Sequence, residues 1–128
     1  MGEAVVDASV LIDALPADDG NSSRRELEKY EIHAPHLIGV EVLSWLRRYG
    51  STGDRTIHPQ LIRQHYIGLR ITRRPHEPLL ARAWELRQTV SAYDAQYVAL
   101  AEALEAPLIT RDRRLAAAAA PYCAVVVP

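Results

Sequence analysis

Short apolar runs alternating with helical segments predict an α/β fold: a three-layer α/β/α sandwich around a short, mostly parallel sheet. The strand-like runs fall at 3–8, 32–34, 70–73, 107–110 and 124–127, each separated from the next by enough chain for a helical crossover. Two acids, Asp7 and Asp112, stand at the ends of such runs. In parallel sheets that edge is where ligands gather. With 128 residues and no linker or internal repeat, the chain reads as a single domain, 1–128, large enough to bury a proper core.

Each element has a local reason. Val5-Val6 leads into Asp7, and Ser9-Val-Leu-Ile-Asp-Ala-Leu15 opens a helix closed by Pro16. Polar residues 18–23 form a loop, with Ser22 or Ser23 expected as the N-cap of a charged helix running to about Tyr30. Ile32-His-Ala34 is a second strand, and Pro35 precedes an apolar helix from His36 to Tyr49, stopped by Gly50 and the loop 51–54. Helices follow near Pro59–Leu69 and Pro78–Thr89, with the extended Arg70-Ile-Thr-Arg73 between them. Ser91 starts another helix through Leu104, Pro107-Leu-Ile-Thr110 is a strand, Arg113 opens a short helix and Ala124-Val-Val-Val127 ends the sheet.

Composition narrows the chemistry. Fifteen basic against sixteen acidic residues give a net charge of -1, too neutral for indiscriminate coating of nucleic acid, so any such contact is local. The single Cys123 excludes a disulfide framework within the chain and reads as a packing residue. No apolar stretch reaches the roughly 18 to 20 residues of a membrane span, and the start lacks a basic leader, so a cytoplasmic protein is expected. The histidines are scattered and no cysteine joins them, which argues against zinc.

Four acids stand out because they interrupt apolar or strand-like runs: Asp7, Glu41, Asp94 and Asp112. Each has a plainer structural explanation. Asp7 could bond the next turn's backbone, Glu41 could be a solvated helix position, Asp94 completes Ser91-x-x-Asp94 as a capping box, and Asp112 could cap the helix at Arg113. Together they imply more, since a buried carboxylate costs several kcal/mol unless neutralised and the chain has one lysine, Lys29. Mg2+ or Mn2+ takes oxygen ligands and serves phosphate chemistry, so the set points to a metal-dependent nuclease. Asp13 reads as a solvated helix position, and Asp18, Asp19 and Asp54 as loop acids.

The blocks Val5-Val-Asp7-Ala-Ser9, Ala34-Pro35 leading to Glu41-Val-Leu, Tyr93-Asp94-Ala-Gln-Tyr97-Val-Ala-Leu-Ala-Glu102 and Pro107-Leu-Ile-Thr110-Arg-Asp112-Arg-Arg-Leu115 resemble the successive motifs of the PIN domain. More narrowly the chain resembles VapC-type toxins of toxin–antitoxin pairs, from near residue 3 to near residue 127, with the Tyr93-to-Glu102 block the most specific part. The resemblance implies an endoribonuclease whose Asp7, Glu41, Asp94 and Asp112 hold Mg2+ or Mn2+, with Ser9 and Thr110 as small hydroxyls beside them. It also implies an RNA substrate, a VapB-like antitoxin, a homodimer, and contact with DNA only through the antitoxin. Many relatives carry another acid two residues beyond the Asp112 position, where this chain has Arg114. That weighs against a firmly held second metal and brings a phosphate-binding cation to the rim.

Arg111, Arg113 and Arg114 flank Asp112 and are the first candidates for RNA contact, ahead of the pairs Arg47-Arg48 and Arg73-Arg74, because the planar guanidinium suits phosphate. Leu11, Ile12, Leu27, Trp45 and Leu46 serve either core packing or a dimer or antitoxin contact. Two other readings compete. A receiver or haloacid-dehalogenase-like phosphotransfer domain also places an Asp after the first strand, but the phosphatase motif needs Asp-x-Asp where this chain has Asp7-Ala-Ser9, and both classes use a lysine that Lys29 is poorly placed to supply. A catalytically idle binding module is the other, and retention of four site acids argues against it.

Overall fold

The computed structural model describes residues 1–16, 20–50 and 59–128. The loop acids Asp18, Asp19 and Asp54 and the loop 51–54 lie outside them. Within the described residues the strands β1 (Gly2–Val6), β2 (Tyr30–Pro35), β3 (Ile71–Arg74), β4 (Leu108–Ile109) and β5 (Val125–Val126) form one sheet ordered β3-β2-β1-β4-β5. Every pairing is parallel, so the predicted sandwich holds and its sheet has no antiparallel edge among these strands. Parallel neighbours require crossovers. The helices α1 (Ala8–Ala14) and α2 (Ser22–Leu27) join β1 to β2, and α3 (Ile38–Gly50) and α4 (Pro59–Gly68) join β2 to β3. A 3-10 turn (Glu77–Leu79), α5 (Leu80–Glu85) and α6 (Ala92–Leu104) lead to β4, and α7 (Arg113–Ala119) leads to β5.

The strand order reverses between β1 and β4. From β1 the chain steps outward through β2 to β3, then returns to the other side of β1 for β4 and β5. A crevice opens beyond the carboxyl ends of strands that diverge in this way. Central β1 is covered on both faces, and its Ala4, Val5 and Val6 have no exposed surface. Against it packs α6, whose Ala95 to Ala101 are all buried. Its small residues Ala95, Ala99 and Ala101 let the helix lie close to the sheet. An Arg82 guanidinium fork on Glu102, at 2.7 and 3.0 Å, ties α5 to α6. The helix ends at Glu105, whose left-handed φ of 50° closes the last turn.

Several boundaries differ from the sequence expectation for identifiable reasons. The cap of α2 is Asn21, not Ser22 or Ser23: its side chain accepts from Arg24 N at 2.9 Å, while Ser23 is fully buried inside the helix. That helix stops at Leu27 because Tyr30 is already paired with Gly2 in the sheet. Helix α3 begins at Ile38 rather than His36, since His36 N donates to Arg74 O at 2.9 Å and prolongs the ladder. Of the apolar residues with two possible uses, Leu11 and Leu46 are core, and Ile12, Leu27 and Trp45 are half-buried against it. Cys123 is likewise half-buried, and burial pushes its thiol pKa up.

A long-range contact finishes the start of α3. The N–H of Leu37, just outside the helix, donates to Nε2 of His76 at 2.9 Å, so a side chain 39 residues away takes up an orphan donor. Losing such a partner costs about 1 kcal/mol. His76→Ala is expected to lower the melting temperature by a few degrees, and His76→Gln, whose amide oxygen is an acceptor, to recover part of the loss in thermal melts.

Candidate active site

The crevice predicted by the strand order is a cleft of about 190 Å³ whose walls include Asp7, Ser9, Glu41, Asp94, Tyr97 and Asp112. All four acids singled out in the sequence therefore share one site. They come from four elements, and each sits at the beginning of a helix: Asp7 caps α1, Glu41 and Asp94 lie in the first turns of α3 and α6, and Asp112 caps α7. Helix N-termini carry partial positive charge, so these backbones offset some of the negative charge they present. The cleft is not the largest depression. A groove of about 590 Å³ lies between α1, α2, β2 and α4, lined by residues such as Leu11, Leu27, Tyr30 and Leu69, but it holds none of the four acids.

Asp7 is the anchor. It is only 6 % exposed, and its oxygens accept from Ser9 Oγ at 2.5 Å and from Thr110 Oγ1 at 2.6 Å, with a longer contact from Val10 N at 3.4 Å. Both hydroxyls pass the link on. Ser9 Oγ accepts from Arg111 N at 3.0 Å, and Thr110 Oγ1 accepts from Asp112 N at 3.0 Å. The pair expected to stand beside the acids thus latches the exit of β1 to the exit of β4. Asp112 in turn accepts from Arg114 N and Leu115 N at 3.0 and 3.1 Å, so its capping role and its place in the cleft are compatible.

Glu41 is held by Tyr97, whose hydroxyl donates to Oε1 at 2.8 Å. The sequence reading did not assign Tyr97 to the site. Its spacing held the signal, because Tyr97 lies three residues after Asp94 and so shares its face of α6. Burial, then the charges of Glu41, Asp7 and Asp94, push the phenol far above its ordinary range, which keeps it a donor. At Asp94, Ser91 Oγ accepts the backbone N–H at 3.2 Å, so the Ser half of the capping box is made.

The carboxyl groups of Asp7, Glu41 and Asp94 resist ionisation. Burial raises the pKa of Asp7, with Asp112 adding to it against the lowering by its hydroxyl donors. Burial is also the first cause at Glu41, followed by the Tyr97 bond that lowers and by Asp7 and Asp94, which raise it. At Asp94, burial and then Asp112 raise the pKa while Ser91 and Arg114 lower it. Three of the four thus feel another acid of the set. Among the described residues no three of them are drawn into a closed ligand cage.

The three arginines flanking Asp112 separate. Nη1 of Arg111 donates to Pro128 O at 3.0 Å and lies 3.5 Å from both Asp13 Oδ2 and Ser23 Oγ, so its guanidinium is tied into the fold. Arg113 and Arg114 are exposed, and Arg114 is near enough to Asp94 to lower its pKa. Asp13, expected to be a solvated helix position, is instead a half-buried hub that also accepts from Ser23 Oγ at 2.7 Å and Asn21 Nδ2 at 3.2 Å. The start of α2 supplies both donors, pairings across eight and ten residues that helix periodicity does not encode.

Two substitutions test this arrangement. Thr110→Val keeps the shape but removes the donor to Asp7 and the acceptor for Asp112 N; it is expected to cost about 2 kcal/mol in chemical denaturation, with Thr110→Ser close to the parent. Asp7's pKa is already raised, so the native state holds its proton more firmly than the unfolded chain and stability falls as pH rises through that window. Without Thr110 the fall should extend to higher pH. Asp94→Asn removes one charge from the strained set and is expected to raise the metal-free melting temperature at neutral pH by a few degrees. That gain should shrink as pH drops toward the ordinary carboxylate range, and melting curves in EDTA would read both.

Comparisons with known proteins show the family to which the chain belongs. The sequence matches the PIN domain over residues 4–121. It is 41 % identical to a VapC ribonuclease of Mycobacterium bovis over 96 % of each chain, and 41 % identical to ribonuclease VapC1 of Mycobacterium tuberculosis over 98 % of this chain and 97 % of that one. In fold it is similar to a toxin–antitoxin complex from Klebsiella pneumoniae (TM-score 0.71, 22 % identity, 98 % and 97 % covered) and to VapBC2 from Rickettsia felis bound to a promoter DNA fragment (TM-score 0.65, 15 % identity, 97 % of each). Sequence and fold together place the chain in the PIN-domain family, in its VapC branch.

Proposed function

We propose that the chain is a metal-dependent endoribonuclease acting as the toxin of a VapBC-type toxin–antitoxin pair. The observation that carries this reading is the convergence of Asp7, Glu41, Asp94 and Asp112 on one cleft at the point where the strand order reverses. Support comes also from the relatives, which bear the name ribonuclease and match nearly end to end. The carboxylate donor set fits Mg2+ or Mn2+. Such an ion, when bound, supplies an activated water and neutralises charge on the phosphate.

The residues divide the work. Asp7, fixed by two hydroxyls, and Asp94, in the first turn of a buried helix, would be the direct ligands. Glu41 and Asp112 would complete the set and help orient the attacking water, Glu41 with its carboxylate held by the Tyr97 hydroxyl. Arg113 and Arg114 receive the flanking phosphates at the rim, their charge pairing with a polyanion that the acids alone would repel. Attack by water leaves 5′-phosphate and 3′-hydroxyl ends. A VapB-like antitoxin would silence the enzyme by covering the acidic rim, most simply with an arginine, and DNA would be reached only through that partner. That fold neighbours were solved as toxin–antitoxin complexes supports a partner of this kind.

Purified free of any antitoxin, the chain is expected to cut RNA with magnesium or manganese and to stop in excess EDTA. Full activity in the chelator, or 2′,3′-cyclic phosphate ends on the products, contradicts the proposal. Asp94→Asn is expected to abolish cleavage and, in thermal melts, to gain much less stability from added magnesium than the parent.

A further inference from the structure

One wall of the cleft is not wholly acidic. Helix α3 contributes Glu41, Trp45 and Arg48, and Ile12 of α1 joins them. Residues four and seven apart share a helix face, so these three form a row. At 1.5 Å per residue, Trp45 lies about 6 Å and Arg48 about 10 Å along the axis from Glu41. The indole is half-buried: part packs on the core and part faces the cleft. Arg48 is exposed. From the carboxylates outward, the wall therefore runs acid, flat aromatic, cation.

A substrate with a charged backbone gains little from four carboxylates until its phosphate charge is met, so part of its grip must come from contacts that do not depend on charge. Stacking of a base on an aromatic ring supplies about 1 to 3 kcal/mol and is tolerant of sequence, because every base has a π-face. We infer that the exposed face of Trp45, bordered by Ile12, is a stacking subsite for the nucleobase next to the scissile phosphate, and that Arg48 meets the following phosphate. The inference rests on the ribonuclease reading above. It adds a direction: the strand lies along α3, with its reacting phosphate at the helix start.

The chain has two tryptophans, and the second, Trp84, is 66 % exposed on α5 with Arg87 stacked 4.2 Å from its ring. Trp84→Phe makes Trp45 the only indole reporter. In that background, with Asp94→Asn to prevent cleavage, an eight-nucleotide oligoadenylate titrated in magnesium buffer is expected to quench the fluorescence saturably. An abasic oligomer of the same length should not. In otherwise native enzyme, Trp45→Ala should raise KM for RNA roughly ten- to hundredfold with kcat changed less than about threefold, and Trp45→Phe should stay within about threefold of the parent. Arg48→Gln, a surface change that leaves the core intact, should raise KM several-fold and reduce the salt slope of binding by about one.

Equal quenching by the abasic oligomer overturns the inference. So does a Trp45→Ala enzyme that is folded by its melting curve and has an unchanged KM, or an Arg48→Gln enzyme with the parent's salt slope. A concentration-dependent emission shift without any oligomer, together with no response to oligoadenylate, would assign the indole to self-association instead. If the parent cuts no RNA at all the ribonuclease reading fails, whereas cleavage with an indifferent Trp45 defeats the subsite alone.

Discussion

A carboxylate that is almost wholly buried at the end of the central strand sets the terms for this structure. Asp7 could not be accommodated there by solvation. It is held by hydroxyls from Ser9, two residues along the chain, and Thr110, just past the end of the neighbouring strand. The same two hydroxyls accept backbone N–H groups of the β4 exit, so satisfying one charge also fixes the distance between the diverging halves of the sheet. The crevice is therefore held open by polar bonds as well as by strand order. Removing the charge would leave its donors facing each other.

The other three acids are arranged around that anchor by a common device, the beginning of a helix. It places a carboxylate near orphan N–H groups and in a favourable dipole, which is why plain capping and a place in the cleft are not alternatives here. Asp112 does both visibly, accepting two backbone donors while lining the cleft. Burial first, and the neighbouring acids after it, raise the pKa values of Asp7, Glu41 and Asp94.

Much of this was legible in the sequence because the relevant signals are local. Val5-Val6 before Asp7, Pro107-Leu-Ile before Thr110, and the Ser91 hydroxyl three residues before Asp94 each report their own backbone. Strand order, being global, followed only as far as the rule that parallel strands need crossovers. What escaped was carried by side chains meeting across the fold. The Tyr97 bond to Glu41 spans 56 residues, His76 reaches Leu37 across 39, and Asp13 gathers Asn21, Ser23 and Arg111 from two separate segments. No period or cap rule anticipates these, since each depends on the packed distance between elements. Arg111 shows the limit well: its place beside Asp112 suggested substrate, and only the folded chain reveals that its guanidinium is occupied by Asp13 and Pro128.

The latch between Asp7 and Thr110 joins residues 103 apart in sequence. Closing so long a loop is entropically unfavourable until β4 pairs with β1, so this contact belongs to the late stages of assembly. During synthesis, at roughly 5 to 20 residues per second, β1 must wait for most of the chain before its terminal Asp acquires both partners. A nuclease built this way has no finished reaction centre while it is being translated. The ribosome that makes it, surrounded by RNA, handles an inert polypeptide until the final strands dock, which gives any neutralising partner made nearby time to be present first.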